Sequence, residues 1–287
     1  MRKILFPFEL DNPVYREAYI YGIKFARRIN AELILLHVFL VQVGDDITEE
    51  KYEKLLRENW FKAYNEISKF NRYFLEQHAS TDTDLKIKFN YRFVNGILLD
   101  EIKNITREDE VDLIVLPISD DGEFNNRQLK IIRDNVFEKN RTSLLTVPHG
   151  CDFKPVRNIV FATDLKKLHN YQLYIHDVLN YARIFDSNVH FLHVAARGKA
   201  EAWESSQTYQ LVKQAIEKNP RHLFKSLHGQ KILDSVNQYA QECEADLLVV
   251  VRHQHAFLES IFRESISKGL SLNARVPVLV MREKRLG

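Results

Sequence analysis

The residues best suited to chemistry in this 287-residue sequence gather near its end. The segment 251–268, VRHQHAFLESIFRESISK, brings together Arg252, His253, His255, Arg263 and Lys268. An arginine fork holds a phosphate by paired hydrogen bonds, so such a run suits an anion. His253 and His255 share a face if the segment is extended. That would offer two corners of a metal site, with Asp164 or His169 as a third ligand. The plainer reading is two polar loop residues, and no metal is expected. His37 and His193 each close an apolar run and have the chemistry of a general base. The same residue at both places, beside loops that differ, argues for a structural role instead. Cys151 and Cys243 are too few for a disulfide framework or a four-cysteine zinc site, and neither has an evident activating partner. The nucleophile elbow Gly-x-Ser-x-Gly, the phosphate-binding glycine loop, the dinucleotide glycine fingerprint and His-Glu-x-x-His are all missing, so no enzymatic reaction is expected.

These residues must be positioned by a scaffold, and the scaffold is written twice. Residues 3–38 read KILFPFELDNPVYREAYIYGIKFARRINAELILLHV, and residues 158–194 read NIVFATDLKKLHNYQLYIHDVLNYARIFDSNVHFLHV. Ile4-Leu5-Phe6 falls on Ile159-Val160-Phe161, Glu9 on Asp164, and Leu36-His37-Val38 on Leu192-His193-Val194. Further on, Gly96 to Asp100 matches Gly229 to Asp234. Asp112-Leu-Ile-Val-Leu matches Asp246-Leu-Leu-Val-Val, and Ser143-Leu-Leu-Thr-Val matches Pro277-Val-Leu-Val-Met. The turn-rich Pro148-His149-Gly150 marks the boundary, giving domains over 1–149 and 156–284.

In each repeat, short apolar runs alternate with amphipathic stretches. The first repeat predicts strands over 4–8, 33–39, 85–93, 113–116 and 144–147, the third of them an edge strand by its alternation. Helices are predicted over 13–29, 48–77 and 97–105, with another near 128–137. Tyr52, Leu55, Leu56, Trp60, Tyr64, Ile67 and Phe74 form the apolar stripe of the long helix. The second repeat has a shorter middle, with a helix near 205–217 and a third strand within 222–227. Strand–helix alternation of this kind makes a doubly wound parallel α/β sheet, which binds ligands beyond the carboxyl ends of its first and fourth strands. The stretches to inspect are 8–12 and 117–126 in one half and 163–167 and 251–257 in the other.

Composition narrows the partners. Hydrophobic residues make up 45% and charged residues 28%, as in an ordinary globular protein. The formal net charge of +2 does not suit a nucleic-acid binder. The first 150 residues carry 22 lysines and arginines against 25 aspartates and glutamates, whereas the remainder carries 19 against 14. No apolar run reaches the ~20 residues that span a bilayer, and the start of the chain lacks a signal-peptide core, so a cytoplasmic, membrane-free protein is expected.

In order and at this spacing, twice over, these motifs resemble the universal stress protein family, here as a tandem. The carriers are Ile4-Leu5-Phe6-Pro7, Ile159-Val160-Phe161-Ala162-Thr163-Asp164, the His-Val pair closing each second strand, the two Asp-Leu-x-Val runs and Pro277-Val-Leu-Val. The resemblance implies two repeated five-stranded domains of the adenine nucleotide alpha hydrolase-like kind, with flavodoxin-like strand order 3-2-1-4-5, joined as a pseudo-dimer through their last strands. Nucleotide-binding members carry Gly, two residues, Gly, nine residues, Gly, then Ser or Thr after the fourth strand, and an acid after the first. The matching positions here are Pro117, Asp120, Lys130 and Ile131, then Val251, Gln254, Glu264 and Ser265. Every glycine is gone, and with it the close backbone approach that a phosphate cradle requires. In the first half Ser119-Asp120-Asp121-Gly122-Glu123 places carboxylates where a phosphate would sit, and Glu9 replaces the acid. The second half keeps Asp164 and the Ser265 hydroxyl beside the basic run.

The expectation is therefore a stress-response regulatory or interaction protein without the standard ATP site and without a cofactor. Phe257, Leu258, Ile261 and Phe262 read as the buried face of a short helix that packs on the sheet; the other reading is that an aromatic or arginine side chain, Phe257 or Phe262 for instance, fills the vacant crevice of the second half. The alternative is a sensor of ATP, AMP or another small anion in the second domain, built on Asp164, Arg252, His253 and Ser265. A homodimer or a protein partner is expected, with aromatic residues of the long helix available for the contact.

Overall fold

The computed structural model describes residues 2–9, 13–44, 47–78, 87–118, 142–163, 171–196, 207–219, 221–229, 232–251 and 276–282. The chain divides into two compact units, the first running through Pro117 and the second taking up the chain from Ser143 onward.

In the first unit, β1 (Arg2–Pro7) is followed by α1 (Pro13–Arg28), β2 (Ala31–Phe39), α2 (Glu49–His78), β3 (Lys88–Asn95), α3 (Leu98–Glu108) and β4 (Leu113–Ile118). The strands are parallel in the order β3-β2-β1-β4, with Ile4 opposite Leu33 and Phe6 opposite Leu35. Ile4, Leu5, Phe6 and Leu33 through Leu36 are fully buried, as strands covered on both faces require. Helix α1 buries Tyr15, Ala18, Tyr19, Tyr21, Ile23, Phe25 and Ala26. Gly22 sits at the closest approach, where a Cβ would lie 3.6 Å from the Phe6 ring.

Helix α2 departs from its predicted stripe. Ile67 and Phe74 are buried as expected, but Trp60 and Tyr64 remain 39% and 38% exposed. The cause is place: both rings pack on the edge strand β3, Trp60 against Phe93 with centroids 5.6 Å apart and Tyr64 against Tyr91 at 5.7 Å, so one side of each is left open. The buried stretch of α2 is instead fixed by Asn71. Its Oδ1 accepts from the Tyr19 hydroxyl and its Nδ2 donates to the Tyr91 hydroxyl at 2.9 Å, tying α1, α2 and β3 together.

The second unit contains β5 (Ser143–Pro148), β6 (Asn158–Thr163), α4 (Tyr171–Phe185), β7 (Asn188–Ala196), α5 (Gln207–Lys218), β8 (Leu223–Gly229), α6 (Ile232–Glu242), β9 (Leu247–Val251) and β10 (Val278–Met281). Its parallel strands run β10-β9-β6-β7-β8, the expected 3-2-1-4-5 order read from the other side, with Ile159 opposite Val189 and Phe161 opposite Phe191. Strand β5 joins them antiparallel to β10, Leu145 opposite Leu279. The Thr146 hydroxyl donates to the Val278 carbonyl, and the Arg282 amide donates to the Ser143 hydroxyl. The last strand of the first sequence repeat thus pairs with the last strand of the second, which removes two apolar edges at once. The sequence repeat ends near Pro148, whereas the second compact unit already begins at Ser143, because β5 belongs to one by descent and to the other by pairing.

Candidate functional site

In the first unit the strand ends beyond β1 and β2 form a cavity of about 180 Å³, lined by Phe8, Glu9, Tyr15, Leu40 and Leu98 among others. Hydrogen bonds across the strand ends build it. The Phe8 amide donates to the Leu36 carbonyl at 2.7 Å, and His37 Nδ1 lies 2.9 Å from the Phe8 carbonyl. A carbonyl only accepts, so that nitrogen carries the proton and His37 pins β1 to β2. This is the structural role expected of it. The Gly96 amide donates to Phe39 at 3.0 Å, and Asn95 links the Val41 amide to the Tyr52 hydroxyl, which fixes the chain leaving β2.

The lining is apolar and acidic. Among its described residues Glu9 is the one charged side chain, and none is a lysine or arginine. Tyr15 is 1% exposed. Burial first, and the Glu9 charge second, push its phenol well above the ordinary tyrosine range, so it stays neutral at physiological pH. A cavity of this size is below the ~300 Å³ at which ligand pockets usually begin. A polyphosphate would meet a carboxylate here with no compensating cation from the described lining. The sequence points to Phe8 and Glu9 but not to Tyr15, Leu40 or Leu98.

In the second unit the matching strand ends are Thr163, 4% exposed, and Val251, fully buried. His193, equivalent to His37, is buried with its Nδ1 3.2 Å from the Ser226 hydroxyl on β8. It too joins neighbouring strands, by a different partner. Asp164, Arg252, His253 and Ser265 lie outside the described residues, as do His169, His255, Phe257, Phe262, Arg263 and Lys268. The same holds for Asp120, Lys130, Ile131 and the acidic stretch 119–123 of the first half. Among the described residues no three His, Cys, Asp or Glu side chains gather as a metal site would need. Burial raises the Cys151 and Cys243 thiols to about 11, with nearby carboxylates adding to the effect, so at neutral pH both are protonated and poor nucleophiles.

The family model of the universal stress protein family matches residues 155–282. By sequence, this part of the chain resembles a universal stress protein domain. The fold extends the likeness to the whole length. A universal stress protein from Archaeoglobus fulgidus DSM 4304 is 13% identical with a TM-score of 0.67, covering 98% of this chain and 96% of that one. A protein of unknown function from Pseudomonas aeruginosa PAO1 is 13% identical with a TM-score of 0.58, over 98% and 92%. The cytoplasmic domain of a prokaryotic cation chloride cotransporter is 10% identical with a TM-score of 0.56, over 98% and 95%. At such identities the likeness is one of fold, and a fold shared with part of a transporter leaves function to the site. No curated protein sequence matches the chain. Among the described residues, no helix is long and apolar enough to cross a membrane.

Proposed function

We propose that this universal stress protein is a regulatory protein of the stress response that acts by protein association, and that neither half holds ATP in a glycine cradle. The observation that carries the reading is the double loss of the cradle. Pro117, Asp120 and Lys130 stand at the glycine positions of one half, and Val251, Gln254 and Glu264 at those of the other. The acidic, aromatic cavity at the first crevice supports the same reading. Association has a surface to use. Trp60 stacks on Tyr64 with ring centroids 5.2 Å apart, and Phe61 and Tyr73 on the same helix are 58% and 63% exposed. The place of action is the cytoplasm, with a second copy or another protein as partner and no nucleic acid.

Sedimentation of the full chain, with and without Mg·ATP, tests this. The expected result is concentration-dependent association that ATP leaves unchanged and that Phe61→Glu with Tyr73→Glu weakens. A chain that stays monomeric until ATP is added would overturn it. The basic run favours one second reading, a site for ATP, AMP or another small anion on Asp164, Arg252, His253 and Ser265. Under that reading Arg252→Glu removes nucleotide binding and leaves the fold intact.

A further inference from the structure

A charged concavity of the second unit lies at the opposite end from the crevice. Helices α4 and α5 both finish there, at Phe185 and Lys218, beside the amino ends of β7 and β8. Between them is a cleft of about 300 Å³. Its floor is apolar, made by Leu179, Ala182 and Ala215, and its rim carries Arg183, Lys218 and Arg221 against the single carboxylate of Asp186 among the described lining.

Cations at helix C-termini ordinarily serve the helix ends. Here those ends are already satisfied by the backbone. Asp186 takes a left-handed conformation with φ 57°, which lets the Ser187 amide reach back to the Ala182 carbonyl at 2.8 Å. The Asn219 amide closes α5 on the Ala215 and Ile216 carbonyls, both at 3.1 Å. The side-chain charges are left with little to hold. Lys218 makes no hydrogen bond or ion pair with a described residue, and Arg183 donates to the neutral Asn180 amide oxygen. Arg221 pairs with Asp186 at 2.8 Å, but both side chains are more than half exposed, and such a pair exchanges readily. His222 is not a fourth cation. It is 5% exposed, and its Nδ1 accepts the Val189 amide hydrogen, an arrangement that requires the neutral ring.

We propose that this cleft binds a small organic phosphate, its phosphate on Arg183, Lys218 and Arg221 and its apolar body on Leu179, Ala182 and Ala215. A phosphate on this rim meets three cations and one carboxylate, and the arginines offer paired donors that match its geometry. The apolar floor then selects a monoester over the bare ion.

Calorimetric titration of the full chain with phenyl phosphate tests the proposal, with inorganic phosphate and phenol as comparison probes. One saturable site is expected for phenyl phosphate, weaker binding for inorganic phosphate, and none for phenol. Lys218→Gln and Arg183→Gln, both at exposed positions, are each expected to weaken phenyl phosphate by about tenfold, the effect of one good charged contact. Arg252→Gln is expected to leave it unchanged, which separates this cleft from an anion site on the basic run. Absence of saturable binding up to about 10 mM, a range that still detects the weakest specific sites, would overturn the proposal. So would binding that survives Lys218→Gln with Arg183→Gln, or that disappears with Arg252→Gln.

Discussion

The two units share their fixings and differ in what surrounds them. Asp112 opens β4 and Asp246 opens β9. Asp112 Oδ2 accepts the Lys3 amide at 3.0 Å while its own amide donates to the Lys3 carbonyl. Asp246 Oδ2 accepts the amides of Arg157 and Asn158 at 2.7 and 2.9 Å, and its amide donates to Asn158. The left-handed residues repeat as well, Asn30 and Glu110 in one unit and Asp186 and Glu244 in the other, each just past a helix. By contrast, the helix after the second strand has 30 residues in the first unit and 12 in the second. The lesson is that the repeated motifs are scaffold. The Asp-Leu-x-Val run recurs because its carboxylate and amide together clamp the start of the first strand to the fourth, a task each sheet needs whatever its crevice does.

The strongest way to break the comparison is to remove a clamp. Asp246→Ala takes a charged acceptor from two backbone amides and is expected to cost about 3 kcal/mol in the second unit, with Asp112→Ala costing about 2 kcal/mol in the first. Denaturant unfolding of the variants measures both. Equal, negligible losses would make the motif incidental.

A second test acts on one unit alone. Asn71→Leu strands the buried Tyr19 hydroxyl and is expected to destabilise the first unit by about 2 kcal/mol. Amide exchange resolved along the chain should show faster opening of α1 and β3, with β6 and β7 protected as before.

Acid should separate the units next. His190 and His222 both titrate below the ordinary histidine value, His190 through burial, His222 through burial first and the Arg221 charge second. Each is neutral when folded and gains a proton more readily when unfolded, so its contribution is present above about pH 6.5 and is lost as the pH falls below it. The second unit is therefore expected to lose protection first as the pH falls below about 6.5, and His190→Gln should blunt that loss. In the first unit Glu32 works lower. Burial opposes its charge, but hydrogen bonds from Lys88 and Asn90 outweigh that and hold its carboxyl below the usual range, so its contribution fades only as the pH falls through the carboxylate region.

The smallest expected effect is a gain. At Gly22 a Cβ would find ordinary contacts at 3.6 and 3.7 Å, so Gly22→Ala should stabilise the first unit by about 0.5–1 kcal/mol through helix propensity.

Periodicity and repetition made most of the scaffold legible. The apolar run Ile4-Leu5-Phe6 is a strand because nothing else buries three adjacent apolar residues on both faces, and its twin at 159–161 doubles the signal. Strand β3 is described from Lys88, whose partner is Glu32 near the start of β2, and the predicted residues 85 and 86 lie outside the described residues. Helix α3 runs on to Glu108, past the predicted 105, because Asp109 caps it by donating its amide to Ile105. Less of the candidate site could be read. Phe8 and Glu9 follow from the end of β1, but Leu40 meets them through the hydrogen bonds of Phe8 to Leu36 and His37, and Leu98 through that of Gly96 to Phe39, contacts between segments far apart in sequence. The rim of the second unit's cleft was hidden for the same reason, since Arg183 and Arg221 come from segments that pattern alone does not join.

On the function proposed above, ATP finds no glycine cradle in either half. Thermal unfolding during a titration with Mg·ATP tests it most directly. A ligand at ~100 times its dissociation constant adds about 2.7 kcal/mol to the state that binds it, a rise on the order of 5–10 °C for domains of this size. The account predicts no saturable shift at millimolar ATP. A saturable shift that vanishes with Asp164→Asn or Arg252→Glu would contradict it and make the second half a nucleotide sensor.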